Sequence, residues 1–271
     1  MKPASNKKQT ALATVSEYRT PPFPVSKNCG KGVRETQWGS IEIVENGGAT
    51  SISRNVLDAI LTKAIKKEFE IVSNSGDIQM NILYDSKEVL DYLNTTADYS
   101  WLLKKIHELQ RTLISIQRKD KTWPDSWSLI SYSGETEIDA KRRSGQFGGK
   151  LKKIVLSPGA VKWLLEDVSI VVDEEVCNKI MLLKSELSKS VVKFFITHIK
   201  DQKHSILSVL NAVGCNTDTK KEIDRRIAQL KEDEENLKEL GITRLGDVIK
   251  SKRLSGVRFE KMTFKSLGDL L

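Results

Sequence analysis

Cysteine is scarce in this 271-residue chain, and Cys29, Cys177 and Cys215 stand far apart with no CxxC pair. That spacing excludes a disulfide scaffold, and with only three histidines it gives no basis for a structural zinc site. A reducing cytoplasm fits such a chain best. No run of roughly 18 uncharged apolar residues occurs, and the opening Met1-Lys2-Pro3-Ala4-Ser5-Asn6-Lys7-Lys8 has no apolar stretch behind it, so neither a membrane span nor a secretory leader is expected. GxxxxGK[ST], GxSxG and HExxH are all missing. Gly145-Gln146-Phe147-Gly148-Gly149-Lys150 is glycine-rich but lacks a Ser or Thr after the lysine and the strand-then-helix setting of a phosphate cradle. His107, His198 and His204 are isolated, so local spacing assembles no nucleophile–base set. No enzymatic activity, metal or cofactor is expected.

What the chain has in excess is positive charge, 44 Lys+Arg against 36 Asp+Glu for a formal +8. Its distribution is uneven. Residues 1–40 carry +5, 41–97 carry −4, 98–153 carry +5, 154–243 carry −2 and 244–265 carry +5. Basic blocks repeated along a chain with 39% hydrophobic residues point to a globular protein with a polyanionic partner.

The first 36 residues mix Lys, Ser, Thr and Pro without an apolar period and read as a flexible basic arm. Order is expected from Trp38, where Ile41, Ile43 and Val44 suggest a short strand. Ser51 or Ser53 then caps a helix with Val56, Leu57, Ile60, Leu61, Ala64 and Ile65 at helical spacing. Short strands are expected between Phe69 and Leu83, and a short helix after Asp85. The polar turn Asn94-Thr95-Thr96-Ala97-Asp98 leads to a longer helix over 99–111. Thr112–Arg118 and Trp127–Tyr132 have the β-branched or alternating pattern of a hairpin, joined by a charged loop over 119–126 and anchored by Trp123 and Trp127. Residues 134–150 read as a basic, flexible insertion.

The second half repeats that plan. A long amphipathic helix is expected from Asp173 to about Asp201, a shorter one over 206–213 ended by Gly214, and a third from Asp218 to Leu240. Residues 242–259 hold a second basic hairpin around Ser255-Gly256. Helix, turn, helix and hairpin in this order is the plan of a winged helix, in which the second helix of the pair fits the major groove. The expected fold is α+β, mainly helical, with two tandem winged-helix domains at 37–172 and 173–265 between the arm at 1–36 and a tail at 266–271.

In the second recognition helix Lys221 and Arg225 share a face at i,i+4, opposite Ile223, Ile227 and Leu230. Thr219, Lys220 and Arg226 join them as candidate DNA contacts, and Lys250, Lys252, Arg253 and Arg258 are the candidates of its wing. In the first unit the candidates are Ser100, Lys104 and Lys105 on the helix, with His107 beside them as a surface polar residue, while Leu102, Leu103, Ile106 and Leu109 bury. Arg118, Lys119 and Lys121 are expected to meet phosphate from the wing, with Arg142 and Arg143 in the insertion.

The order of parts resembles that of bacterial plasmid replication initiators. The resemblance rests on Trp38-Gly39-Ser40-Ile41-Glu42-Ile43 followed by Ser53 to Ile65, on Leu183-Lys184-Ser185-Glu186-Leu187-Ser188-Lys189-Ser190-Val191-Val192-Lys193-Phe194-Phe195, and on Lys221-Glu222-Ile223-Asp224-Arg225-Arg226-Ile227-Ala228-Gln229-Leu230 running into Leu237-Lys238-Glu239-Leu240-Gly241-Ile242. It spans about residues 38–260, and the glycine-rich segment 144–149 departs from the family pattern. The resemblance implies binding of double-stranded DNA at repeated origin sites (iterons), melting of an AT-rich element and recruitment of host helicase or polymerase components. It also implies a homodimer formed through the N-terminal domain. A winged-helix transcription or partition regulator shares the same DNA surface, and a scaffold docking an acidic protein partner shares the same charge.

Overall fold

The computed structural model describes residues 9–14, 23–25, 33–35, 39–45, 47–72, 76–118, 126–141, 147–215, 217–261 and 263. The architecture is α+β, organised around two hydrophobic cores.

The first core forms around helix α1 (Ser51–Lys63). Its N-cap is Thr50, ahead of both Ser51 and Ser53, the serines expected to cap it, and the Thr50 N–H donates to Ser53 Oγ at 3.3 Å. Strands β4 (Lys66–Ile71) and β5 (Ile78–Tyr84) follow, then α2 (Ser86–Tyr92) and α3 (Tyr99–Arg111). Asp85 caps α2 by accepting the Lys87 N–H at 2.8 Å, and Asp98 caps α3 by accepting the Trp101 N–H at 2.9 Å. Between these two helices Asn94 takes a positive φ of 50°, a conformation asparagine tolerates better than most side chains.

The hairpin expected from 112–118 and 127–132 does not form. Strand β6 (Leu113–Arg118) pairs instead with β3 (Gly39–Glu45), which also pairs with β2 (Val33–Glu35). Trp127 touches β6 through one isolated bridge to Ile114. Its ring is buried edge-on to Trp163 at 5.4 Å, and any side chain at Gly159 would enter that ring. The hairpin is built from the segment read as a flexible insertion: β7 (Ile130–Lys141) pairs with β8 (Phe147–Leu156), and the sheet order is β4-β5-β8-β7. Ser, Thr and charged side chains over 131–139 hid the alternation, since many of them face solvent, while the buried residues Ile130, Leu151, Ile154, Val155 and Leu156 lie toward the end of the ribbon where β8 meets β5.

Helix α4 (Pro158–Glu166), capped by Ser157, leads to β9 (Ser169–Asp173). The long helix expected over 173–201 is two helices, α5 (Glu174–Met181) and α6 (Glu186–Ile196). Ser185 accepts the Ser188 N–H at 3.0 Å and so starts a new helix where the apolar period runs on unbroken. Strand β10 (Gln202–Ser205), α7 (Ile206–Ala212), α8 (Lys220–Glu232) and α9 (Glu234–Glu239) follow. The last two were expected as one helix. They separate at Asp233, which is buried and accepts the backbone N–H groups of Lys184 and Ser185 at 2.9 and 3.0 Å, satisfying donors at the start of α6. Strands β11 (Ile242–Leu245) and β12 (Val248–Ser251) close through the two-residue turn Gly246-Asp247, with Gly246 at φ 60°. The sheet order is β10-β12-β11. Strand β13 (Val257–Glu260), expected as the second limb of the wing, pairs with β9 instead.

The arm expected to be flexible over 1–36 contributes structure at its described residues. Strand β1 (Gln9–Thr14) pairs with the other edge of β9, giving the order β1-β9-β13. Phe23 is buried in the first core and Val25 packs against the second.

A layer of buried charge joins the halves across α1 and α6. Asp58 has no exposure, and its carboxylate accepts from Arg54 on its own helix and from Lys193 on α6. Lys193 also donates to Asn55 Oδ1, and Asn55 Nδ2 donates to Glu186. Lys189 pairs with Glu186 at 3.0 Å, and Lys63 reaches Glu174 at 2.9 Å. Asp58 also helps burial push the neighbouring Cys177 thiol up to about 12, so this cysteine stays protonated and unreactive at neutral pH.

Asp58→Ala strands two buried cations and should cost about 3–5 kcal/mol, measured by urea unfolding. Asp233 offers a pH test. Burial acts to raise its carboxyl, but the Lys184 and Ser185 N–H groups outweigh that and hold it below its ordinary range. Its contribution is therefore complete above roughly pH 4 and lost as pH falls through the lower native value. The stability gap between the native chain and Asp233→Asn should shrink over that acid window; a gap independent of pH would contradict this account.

Candidate nucleic-acid interface

On α3 the buried residues Leu102, Ile106 and Leu109 recur at i, i+4 and i+7, which turns the opposite stripe outward. That stripe consists of Ser100 and Lys104, both exposed, the half-buried His107, and exposed Arg111 at the helix end. Arg111 falls in phase with Ser100, Lys104 and His107, so helical spacing extended by one turn would have found it. Lys105 does not belong to the interface. It is 8% exposed, and its Nζ donates to both carboxylate oxygens of Glu108 at 2.8 and 2.9 Å, while Ser53 Oγ donates to Glu108 Oε2 at 2.5 Å. Glu108, whose charge Lys105 balances within α3, is the group that ties α3 to α1. Leu103, expected in the core, is only half-buried.

The β7–β8 hairpin stands against the same helix. Lys152 Nζ lies 4.6 Å from the centre of the Tyr99 ring, and Ser133 Oγ donates to Gln110 Oε1 at 3.1 Å. Two of its lysines are matched by carboxylates of the facing strand. Lys152 pairs with Glu135, and Lys150 pairs with Asp139 at 2.9 Å, a bond that holds the Lys150 ammonium above its ordinary range. The other cations of the hairpin are Lys153, opposite Leu83 and Gly134, and the run Lys141-Arg142-Arg143 in the sequence. Arg142 and Arg143 lie outside the described residues, between the paired strand ends Lys141 and Phe147. Of the residues assigned to the expected first wing, Arg118 sits on β6 opposite Gly39, in a different sheet, and Lys119 and Lys121 lie outside the described residues.

In the second unit Thr219 caps α8, its Oγ1 accepting the Glu222 N–H at 3.2 Å. Lys220, Lys221 and Arg225 are exposed on the first two turns, while Leu230 is buried and Ile223 and Ile227 pack against the core. Arg225 Nη2 meets Glu222 Oε2 at 2.7 Å in an exposed pair of the kind worth less than about 1 kcal/mol, which a phosphate or base edge readily replaces. Arg226 is a correction: it is 7% exposed and its Nη1 donates to Gln229 Oε1 at 3.0 Å, so it supports the helix from within. Lys250 is exposed on β12. Lys252 and Arg253 are exposed just beyond it, where Lys252 N–H donates to the Gly241 carbonyl at 2.8 Å and Arg253 N–H to Asp201 Oδ1 at 2.9 Å. Arg258, also exposed, lies on β13 in the β1-β9-β13 sheet with Glu260 at 3.5 Å, so it does not join the second hairpin.

Among the described residues no three His, Cys, Asp or Glu side chains gather to hold a metal ion, and no helix is long and apolar enough to cross a membrane.

No protein-family model and no curated protein matches the sequence. Among solved structures, the chain is similar to domains 2 and 3 of RctB in a selenomethionine derivative, at 10% identity and a TM-score of 0.40 over 73% of this chain and 92% of that one. A second structure of RctB domains 2–3 is similar at 10% identity and a TM-score of 0.38 over 71% and 93%.

Adjacent lysines on α3 should separate cleanly under mutation. Lys105→Ala leaves Glu108 buried without its cation and should cost at least about 1–3 kcal/mol, whereas Lys104→Ala should stay within about 0.5 kcal/mol, both read from chemical denaturation.

Proposed function

We propose that this protein binds double-stranded DNA in a sequence-specific manner through two winged-helix units, and that it acts as a replication initiator on repeated origin sites. The observation that carries the reading is a repeated topology. Helix, strand, two helices and a hairpin occur as α1, β5, α2, α3, β7–β8 and again as α6, β10, α7, α8, β11–β12, with β4 and β6 inserted in the first set and α9 in the second, and the named strand of each set pairs with the second limb of the hairpin. In both sets the second helix of the pair presents exposed cations: Lys104 and Arg111 on α3, Lys220, Lys221 and Arg225 on α8. A helix so placed enters the major groove, where arginine reads guanine bidentately and lysine supplies charge to phosphate. The origin-directed part of the reading is supported by the resemblance of the sequence to plasmid replication initiators. On that reading, host helicase or polymerase components and a second copy of the chain are its protein partners.

Selection of bound duplexes from a randomised pool at two salt concentrations tests the proposal. A recurring motif, arranged as direct repeats beside an AT-rich stretch in its natural setting, is the expected result. Salt-sensitive binding with no motif would overturn sequence-specific recognition, and a single unrepeated motif would favour a transcription or partition regulator. Arg225→Ala should weaken the selected site by about 1–3 kcal/mol and relax the preference at one base pair, with little change in stability. The same substitution leaving the preference unaltered would remove Arg225 from base reading.

A further inference from the structure

The sheets of the two units treat their lysines differently. In β4-β5-β8-β7, Lys66 pairs with Glu68 at 2.5 Å, Lys150 with Asp139 and Lys152 with Glu135. In β10-β12-β11 the register sets Lys203 directly opposite Lys250, and Lys250 opposite Thr243. Ile249 and Ser251 of β12 are buried, so Lys250 points to the other face, together with its cross-strand partner Lys203, and both are exposed. Lys252 continues the ladder one step past the strand, through its N–H to Gly241, and is exposed as well. None of the three lysines forms an ion pair with a described residue. Two carboxylates lie at the ends of this face: Asp201, engaged with the Arg253 N–H, and Asp247 in the turn.

Like charges facing each other across a strand pair are destabilising. Lysine on an edge strand guards against edge-to-edge pairing, which accounts for Lys203 on β10 but not for Lys250 on the central strand. An anion resolves the arrangement, since it removes the repulsion and supplies the partner each ammonium lacks. We infer that the Lys203–Lys250–Lys252 face binds the phosphate backbone of a DNA segment flanking the one read by α8. The inference rests on the DNA-binding reading and joins Lys203 of β10 to Lys250 and Lys252, the wing candidates of the sequence, in one phosphate-binding face. Lysines provide point charges without a fixed fork, so this face adds affinity and no sequence preference.

The test uses the full chain, the K203Q/K250Q/K252Q variant and a control, K162Q/K179Q/K238Q, which removes the exposed lysines of α4 and α9 and a half-buried one of α5. Dissociation constants for the selected duplex and for a random duplex are measured across a salt series. Each phosphate contact contributes about 0.9 to the slope of log affinity against log salt, so the first variant should lose about 2–3 from that slope on both duplexes and keep the ratio between them. The control should keep the native slope. Without DNA and at low salt, the first variant should melt at or above the native temperature, because a repulsion has gone. A native slope in K203Q/K250Q/K252Q, or an equal loss in the control, overturns this assignment while leaving the DNA reading in place. Failure of the native chain to bind any duplex overturns both.

Discussion

The arrangement of the two halves depends on one buried carboxylate. Asp58 lies with no solvent exposure between Arg54 of its own helix and Lys193 of α6, and a charge so buried is tolerable only while its partners hold station. The condition is directional in a way that apolar packing is not. A greasy helix pair slides by a fraction of a turn at modest cost, whereas moving α6 along α1 would separate Lys193 from Asp58 and Asn55, and Asn55 from Glu186. Since α1 and α6 each open one of the repeated units, fixing them against each other fixes the two units as well. The price of that precision is desolvation of several charges where leucines would have packed without it.

Burial also sorts the cations into those that build the fold and those that face solvent. Lys105, Lys189, Lys193, Arg54 and Arg226 are buried, and each meets a carboxylate, an amide oxygen or both. Lys104, Lys220, Lys221, Arg225, Lys203 and Lys250 are exposed. Among the described residues the buried acids Asp58, Asp85, Glu108 and Asp233 are balanced by the five buried cations, so burial leaves the positive excess of the chain on its surface nearly unchanged. Exposed cations include those of α3 and α8 and those on one face of the second sheet.

Helix existence was legible in the sequence, because the apolar period at Val56, Leu57, Ile60 and Leu61, or at Leu102, Ile106 and Leu109, reports a buried stripe directly. Strand partners were not. Thr112–Arg118 has the composition of a strand whether it pairs with the next segment or with one some 70 residues earlier, and nothing local chooses between them. The hairpin over 130–156 was hidden for the opposite reason, its charged and small residues being those of a solvated ribbon. Helix breaks at 182–185 and 233 were equally hidden, since each depends on a contact between Asp233 and a backbone nearly 50 residues away. Among the site residues, phase along α3 and α8 separated solvent from core, but adjacent pairs such as Lys104 and Lys105, or Arg225 and Arg226, differ by only 100° around the helix. Which member faces inward was set by Glu108 and Gln229, not by the pair itself.

Strand β9 sits between β1, more than 150 residues before it, and β13, more than 80 residues after it. Every ladder in that sheet is thus made between segments remote in sequence, and loop closure must precede any gain from pairing. During synthesis β9 leaves the ribosome with one edge already offered a partner and the other open until residue 260 has been added. The open edge is flanked by Ile170 and Val172, the apolar side chains of the second core. The second unit therefore spends the whole interval of its own translation with an unsatisfied backbone ladder, a kinetic exposure that slow elongation lengthens and a chaperone shortens.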